Sequence, residues 1–119
     1  MARTVFERNG GFAKVSRVVS AFYDKVLDSP IIAPYFEHTD MRRLIDHQTR
    51  FIATVMGGPA SYTSEHLERI HANLGVTDAA FAEMVMLLAE TLEDFDFSDE
   101  DIEHVRDEIV SRKHFIVTR

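Results

Sequence analysis

Three observations predict an all-α fold for this chain of 119 residues. Apolar residues recur at spacings of three and four along most of the sequence, which is the period of an amphipathic helix. Residues that cap helices precede several of these stretches, and glycine or proline follows them. No stretch alternates strictly between apolar and polar residues, as a half-buried strand would. The length fits one core, so we expect residues 1–119 to form a single domain.

The first predicted helix begins after Gly10-Gly11 and ends near Asp28. Its apolar stripe consists of Phe12, Val15, Val19, Phe22 and Val26. Ser29 is expected to cap a short second helix that reaches Phe36, with Pro30 in its first turn. Both helices should therefore contribute to the core.

The third predicted helix starts after Asp40, a typical capping residue, and ends at Gly57-Gly58-Pro59. One face carries Leu44, His47, Gln48, Phe51 and Val55. This face is only partly apolar, which makes it a candidate wall for a functional site.

Three more helices are expected in the second half. A short helix is expected over about 64–72, and the residues towards one side of it are Leu67, Ile70, His71 and Leu74. Thr77 should cap the next, whose stripe is Phe81, Met84, Val85, Leu88 and Leu92. Ser98 and Asp101 mark the start of the last, whose stripe is Ile102, Val105 and Ile109 and whose end lies near Arg112-Lys113.

Composition excludes several classes of function. Cysteine is absent, so disulfides, thiolate metal sites and iron–sulfur clusters are ruled out. The net charge of −7 argues against a nucleic-acid partner. No apolar run is long enough to cross a membrane, and the first residues lack the apolar core of a signal peptide. We therefore expect a cytoplasmic protein.

Two of the six histidines, His47 and His71, fall on core-facing stripes. Their helices are joined by a segment that opens with Gly57-Gly58-Pro59, so both imidazoles can face one cavity with a flat cofactor between them. Either histidine alone could equally be a core-edge residue that is hydrogen-bonded to a neighbour.

Other metal sites fit less well. Zinc usually takes three or four closely spaced ligands, and no pair of histidines lies four residues apart. A di-iron site would use Glu68 with His71 and Asp101 with His104, but it needs four long helices and two further inward glutamates. A helical interaction domain without a cofactor would leave the polar core residues without a shared purpose.

Tyr23 and Gln48 are the other polar residues on predicted core faces. An unpaired buried polar group costs roughly 1–3 kcal/mol, and a ligand such as dioxygen would supply a partner. Alternatively, the Tyr23 hydroxyl and the Gln48 amide reach the surface.

The sequence resembles the truncated haemoglobins of group I over nearly its whole length. The resemblance rests on the order and spacing of Gly10-Gly11, Phe22-Tyr23, Tyr35-Phe36, Asp40-Met41, His47-Gln48, Gly57-Gly58-Pro59, Tyr62-Thr63, His71 and Phe81. It implies the two-over-two helical sandwich of that family, with a small first helix, around a non-covalent b-type haem.

The resemblance also implies roles for individual residues. His71 would be the proximal iron ligand, Tyr23 and Gln48 the distal hydrogen-bonding pair, and Leu44 would stand where many globins have a distal histidine. The remaining residues expected to contact haem are Phe36, Phe51, Ile70, Leu74, Val76, Phe81 and Met84.

His47 makes the chain most similar to the cyanobacterial members, in which a histidine before the distal glutamine binds iron as a sixth ligand. We therefore predict that His47 and His71 both bind the iron, the alternative being that His47 reaches a haem propionate or solvent.

Two positions depart from the family pattern. Ile52 replaces a phenylalanine proposed to gate a ligand tunnel, and Arg112 replaces a histidine that bonds a haem vinyl group, with His114 two residues later.

The family resemblance implies reversible binding of dioxygen, nitric oxide or carbon monoxide. It favours conversion of nitric oxide and dioxygen to nitrate, or redox chemistry on nitrogen oxides, with an electron-donating reductase as partner and a monomer or weak dimer as the assembly. The alternative is a sensor that switches when gas displaces His47.

Overall fold

The computed structural model describes residues 4–58 and 76–117, which contain helices and turns and no strand. In chain order the helices are α1 (Val5–Arg8), α2 (Gly11–Asp28), a 3₁₀ helix (Ala33–Phe36), α3 (Met41–Val55), α4 (Asp78–Asp94), α5 (Asp99–Val110) and α6 (Lys113–Ile116). The prediction of an all-α fold is confirmed. The helix expected over 64–72 lies outside the described residues.

Three predicted caps are confirmed by hydrogen bonds at the starts of α3, α4 and α5. The Asp40 carboxylate accepts from the Arg43 amide at 3.3 Å, and the Thr77 hydroxyl accepts from the Ala80 amide at 3.1 Å. The Ser98 hydroxyl accepts from the Asp101 amide at 3.2 Å. Each bond satisfies an amide that has no partner within its helix, so these boundaries are fixed locally.

The short helices agree only in part with the prediction. The family resemblance implied a small first helix, and α1 is one turn held by a capping box between Thr4 and Glu7, although apolar periodicity gave no sign of it. The prediction that Ser29 caps the next helix is wrong: its hydroxyl donates to the Glu83 carboxylate at 3.0 Å, and the 3₁₀ helix begins only at Ala33. The chain also forms α6 beyond the predicted last helix.

The core lies where α2 packs against α3 and α4, and α5 packs against α4. The predicted stripe of α2 is buried except for Phe12, which is 42% exposed. Phe12 stands in the first turn of α2, and its ring meets the edge of Phe6 from α1 at a centroid distance of 4.9 Å. Val18, which is fully buried, contributes to the core instead.

The Gly57-Gly58 pair lets α1 approach the end of α3 closely. A Cβ on Gly58 would lie 2.9 Å from both the Ala53 carbonyl oxygen and the Phe6 ring, so a larger residue does not fit. The Phe6 amide also donates to the Met56 carbonyl at 3.0 Å. These contacts fix where the chain leaves α3.

Candidate functional site

Helices α2, α3 and α4 enclose a cleft of about 930 Å³, part of which is open to solvent. Its lining consists of Val19, Phe22, Tyr23, Ile32, Tyr35, Phe36, Leu44, Gln48, Phe51, Ile52, Val76, Ala80, Phe81, Met84, Val85, Leu88 and Ile109. Apolar side chains dominate, as expected for a site that holds a flat apolar cofactor.

Helical spacing explains how α3 forms one wall. Leu44, Gln48 and Phe51 are separated by four and three residues, so they share one face of the helix. Phe81, Met84, Val85 and Leu88 line the cleft from α4 by the same spacing.

Among the described residues of this lining, Tyr23, Tyr35 and Gln48 are polar and none is charged. Tyr23 is only 4% exposed, and the edges of its ring meet Phe22 at 4.9 Å and Phe36 at 5.8 Å between centroids. Its ring is thus held by two aromatic neighbours. Gln48 is half-buried, and its side chain makes no hydrogen bond within the described residues. The cleft therefore presents a hydrogen-bonding amide to whatever occupies it.

The structure brings most of the predicted cofactor residues together in this cleft. These are Phe36, Leu44, Gln48, Phe51, Val76, Phe81 and Met84, together with Tyr23. Ile70, His71 and Leu74 lie outside the described residues. The contacts of the individual side chains with a cofactor stay predictions.

His47 is half-buried on α3 and is not one of the residues that line the cleft. Successive helical residues point about 100° apart, so His47 is turned well away from its neighbour Gln48. Its bond to iron stays a prediction and would require its side chain to turn towards the cleft.

Several lining residues were not predicted as part of the site. Val85, Leu88 and Ile109 were identified only as core, because periodicity shows that a residue is buried but not what it faces. Ile32 is fully buried in an irregular connection, where no periodic signal exists.

The structure argues against Asp101 and His104 as the second pair of ligands in a di-iron site. Both carboxylate oxygens of Asp101 are used by the side chains of Arg8 and Asn9, and His104 is exposed. Within residues 4–58 and 76–117, no three His, Cys, Asp or Glu side chains are grouped closely enough to hold a metal ion.

In the same part of the chain, no helix is long and apolar enough to span a membrane.

The helical architecture and the apolar cleft define a small globin-like protein. The chain belongs to the bacterial-like globin family, whose model matches residues 4–118. Among curated relatives, a group 1 truncated haemoglobin from Tetrahymena thermophila is 32% identical over 99 residues, covering 83% of this chain and 82% of its own length. The group 1 truncated haemoglobin GlbN of a Nostoc species is 24% identical over 116 residues and covers 98% of both chains.

Solved structures agree with this assignment. The ferric form of the Tetrahymena pyriformis truncated haemoglobin has a TM-score of 0.90 and 26% identity, covering 98% of this chain and all of the other. A Synechococcus 2/2 haemoglobin, in the cyanomet state with covalently attached haem, has a TM-score of 0.89 and 28% identity with the same coverage. The predicted two-over-two fold and the similarity to truncated haemoglobins are confirmed.

Membership of this family makes the chain a haem-binding and gas-binding protein, with haem b as the usual cofactor. The cleft fits that cofactor, since its walls are apolar and its polar groups are few. Cofactor sites are mostly apolar, with a few polar groups that fix the orientation of what is bound.

Proposed function

We propose that the chain binds dioxygen, nitric oxide and carbon monoxide at a b-type haem whose iron is held by His71. The observation that carries this proposal is that Tyr23 and Gln48, from neighbouring helices, line one apolar cleft. The same cleft is lined by Val76, which follows His71 by only five residues along the chain. Residues 1–119 would act as one globin domain.

Haem supplies an iron that binds diatomic gases and changes between the ferric and ferrous states. The protein supplies the surroundings. The Tyr23 hydroxyl and the Gln48 amide would donate hydrogen bonds to a polarised gas ligand, and a dry cleft strengthens such bonds. Leu44 lines the same wall and cannot donate, so the stabilisation of bound gas would depend on the other two residues.

His47 would be the sixth iron ligand in the absence of gas. It lies one residue before Gln48 on α3, and its side chain would have to turn towards the cleft to reach the iron. Incoming gas would then compete with His47, and the apparent affinity would fall in proportion to the fraction of protein in the open state. The displaced imidazole would return to its half-buried position on the helix.

Conversion of nitric oxide and dioxygen to nitrate, or redox chemistry on nitrogen oxides, would be the reaction. Either reaction requires an electron-donating reductase to restore ferrous iron. We place the protein in the cytoplasm as a monomer or weak dimer that contacts neither nucleic acid nor membrane, in line with its net charge of −7.

Visible absorption spectra of the purified protein test this proposal. Ferric and dithionite-reduced wild type would be compared with His47→Ala and His71→Ala. Sharp, split visible bands in the reduced wild type that are lost in His47→Ala would support two histidine ligands and favour redox or sensing roles. A broad high-spin spectrum that His47→Ala leaves unchanged would contradict the sixth ligand, and failure of reconstituted wild type to take up haem would contradict the whole proposal.

A further inference from the structure

Lys113 connects the C-terminal helix to the start of α4. Its ammonium lies 2.8 Å from the Asp78 carboxylate and 5.8 Å from the centroid of the Phe81 ring. Asp78 and Phe81 are three residues apart in the first turn of α4, so they lie on the same side of that helix. One ammonium therefore spans this turn and makes two attractive contacts.

Phe81 relates this contact to the cleft. Its side chain is 5% exposed and forms part of the cleft lining, whereas the Lys113 side chain is partly exposed and the Asp78 side chain is mostly exposed. The ring therefore has the cleft on one side and the ammonium on another. A cation within about 6 Å of a ring centroid is attracted to the aromatic face, so Lys113 favours one orientation of this ring.

The short helix α6 holds Lys113 in place. The Val117 amide donates to the Lys113 carbonyl at 2.8 Å, and Val117 packs against the core. Before Lys113, the Arg112 guanidinium bonds to the Glu108 carbonyl at 2.7 Å and to its carboxylate at 3.0 Å. The backbone of Lys113 is therefore fixed on both sides by packing and hydrogen bonds.

We propose that Lys113 is a positioning residue for the haem cleft, which holds the Phe81 ring in the wall and thereby slows the loss of haem. This inference rests on the proposed function, because it assumes that the cleft holds haem. Lys113 is not one of the described residues that line the cleft, and it acts through its contact with Phe81.

The size of the effect follows from exposure. The side chain of Lys113 is 45% exposed and that of Asp78 is 73% exposed, so solvent screens their ion pair. We expect haem to dissociate roughly threefold to tenfold faster without the ammonium, from the sum of a screened ion pair and one cation–π contact.

Transfer of haem to excess apomyoglobin, followed by visible absorbance, measures this rate. Lys113→Met keeps most of the side-chain volume without the charge and should accelerate transfer. Lys113→Arg should restore the wild-type rate, and Asp78→Asn should give an intermediate rate. The matched control is Arg106→Gln, which breaks an exposed ion pair with Glu103 at 2.8 Å on α5 and should leave the rate unchanged.

A second background tests the route through Phe81. In Phe81→Leu protein the aromatic face is absent, so adding Lys113→Met should accelerate transfer much less than it does in wild type. Salt should accelerate transfer in wild type more than in Lys113→Met, because only wild type has the ion pair to screen.

The outcomes separate this inference from the proposed function. Wild type that takes up no haem would overturn both. Normal haem uptake with the same transfer rate in Lys113→Met and wild type would overturn only the role of Lys113. An equal acceleration in the Phe81→Leu background would overturn the route through the ring.

Discussion

The guanidinium of Arg8 is hydrogen-bonded to the carboxylate of Asp101, joining the first helix of the chain to the first turn of α5. The other carboxylate oxygen accepts from the Asn9 side chain at 3.1 Å, and Asp101 is only 7% exposed. On its opposite side, α1 is hydrogen-bonded to the end of α3 through Phe6 and Met56. A single turn of helix therefore bridges two distant parts of the fold.

Replacement of Asp101 by Asn should destabilise the protein by about 1.5–3 kcal/mol, the range for hydrogen bonds to charged groups. The loss stays below the cost of a fully buried pair because Arg8 is 46% exposed and can turn to water. Urea unfolding measures the free energy of unfolding. The control Glu103→Gln, on the exposed face of the same helix, should change it by less than about 1 kcal/mol. Equal effects of the two substitutions would show that burial of Asp101 contributes nothing.

The contribution of Asp101 should also depend on pH. Burial raises the pKa of its carboxyl, but hydrogen bonds from Asn9 and Arg8 and the charge of Arg8 outweigh this, so the pKa lies below its ordinary value. A depressed pKa gives stability that is fully present above the unfolded-state pKa, about 3.9, and is lost as the pH falls through the folded-state value. The difference in unfolding free energy between wild type and Asp101→Asn should thus be constant near neutrality and shrink in acid. A difference that grew on acidification would contradict the sign of the shift.

Substitution of Gly58 by Ala should destabilise the fold by about 1–3 kcal/mol through overpacking. The new methyl group would meet the Ala53 carbonyl oxygen and the Phe6 ring, both at 2.9 Å. Thermal or urea unfolding measures the loss. The double variant Gly58→Ala, Phe6→Leu should lose less unfolding free energy than the two single variants lose together. The smaller leucine side chain leaves space for the new methyl group. Strict additivity would show that the ring does not limit the space at Gly58.

Removal of the proposed distal donors should weaken the binding of dioxygen. Tyr23→Phe deletes one hydroxyl, and Gln48→Leu deletes the amide at nearly constant volume. Loss of one hydrogen bond of about 1 kcal/mol should accelerate dissociation roughly fivefold, since 1.4 kcal/mol corresponds to a factor of ten. Stopped-flow or flash photolysis measures the rate, and carbon monoxide, which is less polarised, serves as the comparison ligand. Dissociation of dioxygen that is unchanged in both variants would contradict the assigned roles.

Several features were determined by the sequence over short distances. Asp40, Thr77 and Ser98 cap α3, α4 and α5 as predicted, because a cap depends on the residue itself and an amide three positions later. Tyr23 and Gln48 were singled out because each polar residue interrupts an apolar face, and both line the cleft; their role as partners for a ligand stays a prediction. The order and spacing of short motifs along the chain, which needs no geometry, was sufficient for the resemblance to truncated haemoglobins.

Tertiary structure decided other features. The single turn α1 begins at a local capping box of Thr4 and Glu7, but its place in the fold depends on contacts between residues far apart in the sequence: Phe6 packs on Gly58, and Arg8 is hydrogen-bonded to Asp101. Periodicity cannot detect such a helix, since one turn contains too few residues to show a repeat. That Gln48 lines the cleft and His47 does not depends on the rotation of α3 about its axis, which packing against α2 sets. A sequence specifies which residues share a helical face, whereas only packing determines what that face contacts.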